Sequence, residues 1–396
     1  MPSMMIHRLE LTHFRNYSKR TINFQREITV FLGPNAIGKT NILEALFLLA
    51  TGKSFRADRD TEMITWEEEV GRVKAKIVSP YVIPGLPAGR QAWTGNPLLC
   101  KTTDPRFRED DKKENPRQHF ENREPDFVEL EIVLTGGMVM GMKAPLKKFL
   151  VNGVSKRIVD FVGNMPSVLF WPEDLELVID SPSLRRRYLD FVLTQTDWEY
   201  RRSLLSYEKG VRQRNRLLER IRDEDIARSQ LIFWDQLLIK DGNYLTKKRE
   251  EYLEYINRSP KPFGDFKLVY DPSFISAARL EQYKDAEVAS GVTLVGPHRD
   301  DFGFFESDRD MAKFGSRGEQ RLIVLWLKLA ELEYIEYAIQ KRPMLLLDDI
   351  FSELDHKHRE EILKIVNKQQ TIITTADRHF LPEGLLKVAE VVELGK

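Results

Sequence analysis

The sequence predicts an α/β protein with mixed sheets, in which one sheet domain is assembled from both ends of the chain and a mainly helical arm is inserted between them. Three observations carry this. HRLELTHFRNYSKRTINFQREITVFLG, residues 7–33, alternates apolar and polar side chains around turn-like breaks, then enters a glycine loop and a buried helix from Thr40 to about Ala50. Far along the chain, PMLLLDD at 343–349 reads as an apolar parallel strand ending in paired acids. Between them, from about Ser181 to Ser259, long stretches free of glycine and proline turn the pattern helical.

Taken in order, the start gives two or three strands, the loop and the helix. GRVKAKIVS and DFVELEIVL follow with period-two alternation and would form a hairpin if adjacent, which they are not. The intervening 79–125 is rich in proline and charge. Its second half, Lys101 to Glu124, has seven basic and seven acidic side chains against two phenylalanines, too little apolar area to offset chain ordering, so it is expected to be a mobile insertion. After the helical arm, residues 260–310 return to strands and turns, notably VTLVGPHRDDFGFF. A long helix from about Glu319 to Ile339, the acidic strand, the helix HKHREEILKIVNK and the strand QTIITT complete the chain. The expected domains are 1–180 and 290–396 as two parts of one head, with 181–289 as the arm.

Composition narrows the class. The 396 residues are 42% hydrophobic, enough for two or three domains with real cores. No apolar run approaches membrane-spanning length, the N-terminus lacks a signal-peptide core, and the single Cys100 permits no internal disulfide, so a cytoplasmic location without membrane partners is expected. The seven histidines show no metal spacing, and HKH at 356–358 reads as a solvated helix end. Lys plus Arg and Asp plus Glu balance at 61 each, so nucleic acid could be held only by local patches. Residues 184–222 are the one pronounced basic segment, with eleven basic against five acidic side chains, and an exposed helix pair laced with ion pairs would look the same.

The chemistry sits at the two ends. Gly33, Pro34, Asn35, Ala36, Ile37, Gly38, Lys39 and Thr40 form GxxxxGKT between a strand and a helix, the context a phosphate-binding P-loop requires. Loop N–H groups and the helix dipole surround a phosphate, Lys39 neutralises the outer phosphates, and Thr40 offers a hydroxyl to Mg²⁺. The carboxylate such a site needs is supplied by MLLLDD. Strand alternation is expected to aim the two acids differently, with Asp348 on the Mg²⁺ water shell and Asp349 polarising the attacking water, so Asp349 and Lys39 are the expected catalytic pair for ATP. The loop ends at residue 40 and the acidic strand starts at 344, a separation that argues against compact P-loop kinases and small GTPases. FGSRGEQR at 314–321 leaves two readings open: Ser316 and Glu319 have capping-box spacing, while a serine, a glycine and arginines at a helix start could hold a phosphate.

The order P-loop, Ser/Gly-rich helix start, acidic strand and SELD at 352–355 resembles the ABC-type ATPase heads. FRNY at 14–17, ATGKSFR at 50–56, LFWPEDLELV at 169–178, SPSLRRRYLD at 181–190, GPHRDD at 296–301, SRGEQR and LLLDDIFSELD together narrow the resemblance to the RecF family of bacterial DNA replication and recombinational repair proteins. That resemblance implies a slow ATPase that dimerises on ATP and binds duplex DNA and single-strand to double-strand junctions. It also implies RecR and RecO as partners in loading RecA at gaps. By matching position, Ser316, Arg317, Gly318 and Glu319 would engage the ATP of a second subunit, and Arg15 would approach the nucleotide from the first strand. Two departures stand out. Ala36 occupies a position where the family usually has glycine, a strain penalty if positive φ is required. QTIITT ends in Thr374 and Thr375 where many ABC ATPases have a switch histidine, with His379 four positions on. Two other readings share the motifs: a short-armed chromosome-tethering clamp and a transporter's nucleotide-binding subunit. The long P-loop to acid-strand separation counts against the latter.

Overall fold

In the computed structural model, residues 5–78, 127–353 and 356–395 are described; the expected insertion at 79–125, Cys100 and Asp355 lie outside the described residues. Two sheets enclose the P-loop helix Lys39–Thr51, which is why its sequence is apolar on every side: eleven of its residues are buried. Above it lies a six-stranded antiparallel sheet in the order Tyr17–Asn23, Met5–Phe14, Val70–Val78, Phe127–Thr135, Lys147–Val151, Val154–Lys156. Below it lies a five-stranded parallel sheet in the order Ser167–Phe170, Met344–Asp348, Thr371–Thr375, Ile28–Leu32, Glu390–Glu393. Ile42, Leu46 and Leu49 of the helix share one core with Leu9, Val73 and Ile132 above and Leu346 and Ile372 below. Each such side chain contributes roughly 1.5–3 kcal/mol by leaving water.

Val70–Val78 and Phe127–Thr135 do pair, antiparallel from Val70↔Thr135 to Val78↔Phe127, although residues 79–126 stand between them. Closing a long loop costs only slowly more than closing a short one, and the alternating apolar faces fix the register. The parallel sheet joins the chain's ends: the P-loop strand Ile28–Leu32 sits between Thr371–Thr375 and Glu390–Glu393.

The segment expected to be the arm holds the helices Pro182–Thr196, Trp198–Glu224 and Ile232–Arg258, the last two packed as a pair. The strand-and-turn expectation for 260–310 missed one helix, Ala277–Ser290, started by Ser276 accepting from the Arg279 N–H and ended by Gly291 at φ 69°. Its neighbours, Phe266–Asp271 and Asp301–Glu306, pair antiparallel.

Several arginines in and beside this basic segment are committed to ion pairs within the protein. Arg185 donates to both oxygens of Asp301 at 2.6 and 2.9 Å. Arg214 lies 2.7 Å from both Asp235 and Glu287. Arg249, 2% exposed, donates to Asp190 and Asp300 and to the Pro297 carbonyl. Removing one partner of such a buried pair costs about 3–5 kcal/mol. These three side chains are therefore fastenings rather than phosphate contacts, and Arg185 and Arg214 give the basic run 184–222 part of the ion-paired character that its composition also allowed.

His298 of GPHRDD is part of the same joint. Its Nε2 lies 3.0 Å from the Thr293 carbonyl, which can only accept, so Nε2 carries the proton and Nδ1 accepts from the Tyr207 hydroxyl at 2.8 Å. Burial, helped by Arg299 and Arg186, pushes the imidazole from 6.5 down to about 4. Because the folded value lies below the unfolded one, the unfolded chain binds the extra proton, and stability is expected to fall as pH drops through that window. Urea midpoints for wild type and His298→Asn check this: the wild-type slope should be the steeper.

Candidate nucleotide site

Parallel register brings the carboxyl ends of the P-loop strand and the acidic strand to one sheet edge. Thr371–Thr375 lies between them, pairing Asp348 with Thr374 and Thr374 with Phe31. The Thr374 hydroxyl donates to Asp348 Oδ1 at 2.5 Å and the Thr40 hydroxyl donates to the same oxygen at 3.1 Å. Asp348, Asp349, Lys39, Thr40, Ala36 and Gly38 line one cavity of about 450 Å³.

Strand alternation does not aim the two acids apart, because only Asp348 belongs to the strand. Asp348 ends the strand and is 6% exposed, and burial pushes its carboxyl above the usual range against the bonds from Thr374 and Thr40. Asp349 lies just beyond, in left-handed backbone at φ 49°, with its N–H donating to the Thr374 carbonyl at 3.1 Å. That turn directs both carboxylates into the same pocket. Asp349 Oδ1 is buried with no hydrogen-bond partner in the protein.

Lys39 donates to the Gly33 and Pro34 carbonyls at 2.6 and 2.9 Å. Burial lowers its pKa, while Asp349 and Asp348 act to raise it. The ammonium is thus stored on the loop with acids in range, ready to exchange carbonyls for phosphate oxygens. Among the described residues no group of three or more His, Cys, Asp or Glu side chains has metal-holding geometry. A hydroxyl and one carboxylate beside a phosphate loop suit an ion that brings its own phosphate and water ligands, as Mg²⁺ does, and the unpartnered Asp349 oxygen leaves an acceptor for its water shell or the attacking water.

Ala36 does adopt positive φ, 65°. Ala36→Gly is expected to stabilise the head by up to about 1 kcal/mol, read as a higher urea midpoint. Gly38 is the contrasting case: at φ 108° a Cβ would lie 2.7 Å from both terminal atoms of the Asn16 amide, so only glycine fits.

FRNY explains that crowding. Asn16 donates to the Ile37 carbonyl at 3.0 Å and Tyr17 to the Gly38 carbonyl at 3.2 Å, so the turn between the first two strands braces the P-loop. Arg15, expected at the nucleotide, is instead spent on the wall: it donates to both oxygens of the buried Glu44 and to the Glu62 carbonyl. The arginine that does line the pocket is Arg56, held by Asn41 at 2.6 Å. Nothing in ATGKSFR itself assigns this arginine a role, and only the fold shows that this loop returns to the P-loop. Trp171, Pro172 and Glu173 also line the pocket, and burial raises the Glu173 carboxyl, with Asp348 adding to the effect. Lys328, on the helix Arg317–Ile339, anchors this turn through Asp174 at 3.0 Å, both side chains being buried.

That helix begins with a complete capping box. Ser316 Oγ accepts from the Glu319 N–H at 3.3 Å, and Glu319 accepts from the Ser316 N–H at 2.7 Å. Glu319 also accepts from Arg309 at 2.6 Å, and these bonds hold its carboxyl down to about 2. Its carboxylate is occupied in shaping the helix start. Ser316, Arg317 and Gly318 are exposed, and none of them lines the P-loop cavity. His379, four positions beyond Thr375, is 93% exposed in its side chain and bonded to Asp377.

The family model described as RecF/RecN/SMC N terminal domain matches residues 5–83. A DNA replication and repair protein RecF from Herpetosiphon aurantiacus is 36% identical over 412 residues, covering 98% of this chain and 97% of the relative. Its counterpart from Halalkalibacterium halodurans is 33% identical over 414 residues, covering 99% and 98%. A solved structure of the recombination mediator protein RecF-ATP in the RecFOR pathway superposes with a TM-score of 0.78 at 28% identity, over 96% of this chain and 94% of that one. This chain belongs to the RecF family of DNA replication and repair proteins, with the head of an ABC-type ATPase.

Proposed function

We propose that two copies of this chain enclose two ATP molecules, each held by one copy's P-loop and the other's Ser316–Gly318 helix start, and that this closure governs DNA binding. The observation that carries the reading is the separation of the two motifs. One chain's cavity already holds the loop, the hydroxyl and both acids, whereas Ser316, Arg317 and Gly318 stand exposed at a helix N-terminus outside it. Phe314, 66% exposed beside them, adds apolar surface suited to a partner.

In this reading Lys39 moves from the Gly33 and Pro34 carbonyls to the outer phosphates, and Arg56 adds charge beside them. Thr40 and Asp348 would hold Mg²⁺, which offsets phosphate charge when bound. Asp349 accepts a proton from water as the water oxygen bonds to the γ-phosphorus and the bond to the leaving β-phosphate oxygen breaks. Ser316 and Gly318 N–H groups and Arg317 stabilise charge on the partner's γ-phosphate.

DNA binding, to duplex and to single-strand to double-strand junctions, falls to exposed cations. Lys209, Arg212 and Arg216 are exposed on the helix Trp198–Glu224 at spacings of three and four and so share a face. RecR and RecO are the expected partners, with RecA loading at gaps as the outcome and the cytoplasm as the place; no helix of the described residues is long and apolar enough to cross a membrane. Light scattering with ATP and Mg²⁺, alongside duplex and gapped-DNA binding, tests the reading. Mass should double on ATP and DNA affinity should rise with it; a chain that stays monomeric with ATP bound contradicts it.

A further inference from the structure

Three successive arginines of SPSLRRRYLD sit on the helix Pro182–Thr196, and each is spent on a different segment. Consecutive residues of a helix point about 100° apart, so a single turn can reach three neighbours. Arg185 holds Asp301 and donates to the Leu177 and Asp180 carbonyls. Arg186 donates to the Asp300 carbonyl at 2.8 Å. Arg187 instead reaches the loop that follows the P-loop helix. It donates to the Ser54 carbonyl and lies over the Phe191 ring at 5.3 Å, and Asp58, further along that loop, is the acid whose charge acts on it.

Ser54 organises the loop. It is buried, its hydroxyl donates to Glu44, and its oxygen accepts from the N–H groups of Arg56 and Ala57 at 3.1 and 2.9 Å. Phe55 packs edge-on between Trp171, with ring centroids 4.6 Å apart, and Phe47 at 5.6 Å; Phe47 in turn meets Phe191 at 5.0 Å. Arg56 then enters the P-loop cavity, where it is held by Asn41 and its charge acts on Asp348. Arg187 and Phe191 are four residues apart and so share a face of their helix, which grips the loop twice, through the Ser54 carbonyl and through the chain of rings. Arg187 itself does not line the P-loop cavity.

We propose that Arg187 is a positioning residue for ATP turnover: from the helix Pro182–Thr196 it fixes the loop Ser54–Arg56 and thereby places the Arg56 guanidinium beside the outer phosphates. The proposal rests on the reading of the P-loop cavity as the ATP site. A misplacement of about 1 Å in a charged group can cost as much as about a hundredfold in rate, so a contact remote from the phosphates can still set turnover. Arg185 and Arg186 tie the same helix to Asp301 and Asp300, and the place of Arg56 therefore depends on how that helix is seated.

The test is single-turnover ATP hydrolysis by the full chain, with protein in excess over nucleotide so that slow variants stay readable. Arg187→Met should lower the rate by roughly tenfold, and Arg187→Lys, which can still donate to the Ser54 carbonyl, should recover most of it. In an Arg56→Ala background the same Arg187→Met change should cost less than about twofold, because the group it positions is gone. Phe191→Leu, which thins the chain of rings and leaves the arginine, should slow turnover by roughly threefold with the same dependence on Arg56, and it stands in for Arg187→Met should that variant not fold. Wild-type turnover in Arg187→Met or in Phe191→Leu, a lysine variant as slow as the methionine one, or the full loss retained without Arg56 would each overturn the proposal. Wild-type turnover in Arg56→Ala alone would overturn the reading of Arg56 as a pocket cation and the proposal with it, which tells the two failures apart.

Discussion

Asp349→Asn is expected to slow ATP turnover by about 10²–10⁴-fold while nucleotide binding persists. Asparagine keeps the size of the side chain and tolerates the left-handed backbone at φ 49°, and the Thr374 carbonyl still accepts from the residue's N–H, so the pocket should fold unchanged. What disappears is a buried, unpartnered carboxylate oxygen that can take a proton from water. Asp348 is held differently, its Oδ1 already accepting from Thr40 and Thr374. With hydrolysis slowed, the closed dimer and its DNA should persist longer, read by single-turnover hydrolysis and by DNA dissociation with ATP present. Faster DNA release would remove Asp349 from this role.

Ser316→Arg should leave ATP binding by the single chain at its wild-type affinity and abolish ATP-driven dimerisation. The residue lies outside the P-loop cavity, so nucleotide affinity has no reason to change. Losing the Ser316 hydroxyl cap costs about 1 kcal/mol of helix stability, whereas Glu319 can still accept from the backbone N–H of residue 316. The larger effect is steric, since a bulky side chain fills the space in front of the helix N–H groups where a partner's phosphate would sit. Nucleotide titration and light scattering separate the two effects. A variant that dimerises normally on ATP would show that the helix start is not a phosphate contact.

Motifs whose chemistry is local were legible in the sequence. GxxxxGKT, the LLLDD strand and the SxxE capping box each announce their geometry within a few residues, and the structure places them on a loop, a parallel strand end and a helix start. What escaped depends on distant segments. Arg15 and Arg56 are both arginines beside the P-loop and both pair with the buried Glu44, Arg15 through both oxygens and Arg56 at 3.4 Å, and only the path of the loop after the helix shows that Arg56 is the one that also lines the pocket. Glu173 enters the pocket only because Ser167–Phe170 is laid beside Met344–Asp348. The basic run at 184–222 left two readings open for a related reason: charge composition does not reveal that Asp235, Glu287 and Asp301 pair with Arg214 and Arg185. The helix Ala277–Ser290 was missed because its stretch lacks a clean apolar stripe, with only Leu280 and Glu287 buried.

The central claim is that each ATP site is shared between two chains, and mixing two inactive variants tests it most directly. Lys39→Ala lacks the phosphate lysine but keeps an intact helix start; Ser316→Arg keeps the P-loop and lacks the helix start. In a mixed dimer, one site combines the intact P-loop of the second with the intact helix start of the first. Each variant alone should show no ATP-driven dimer and no turnover above background, and the mixture should recover turnover. A mixture as inactive as its components would contradict a shared site.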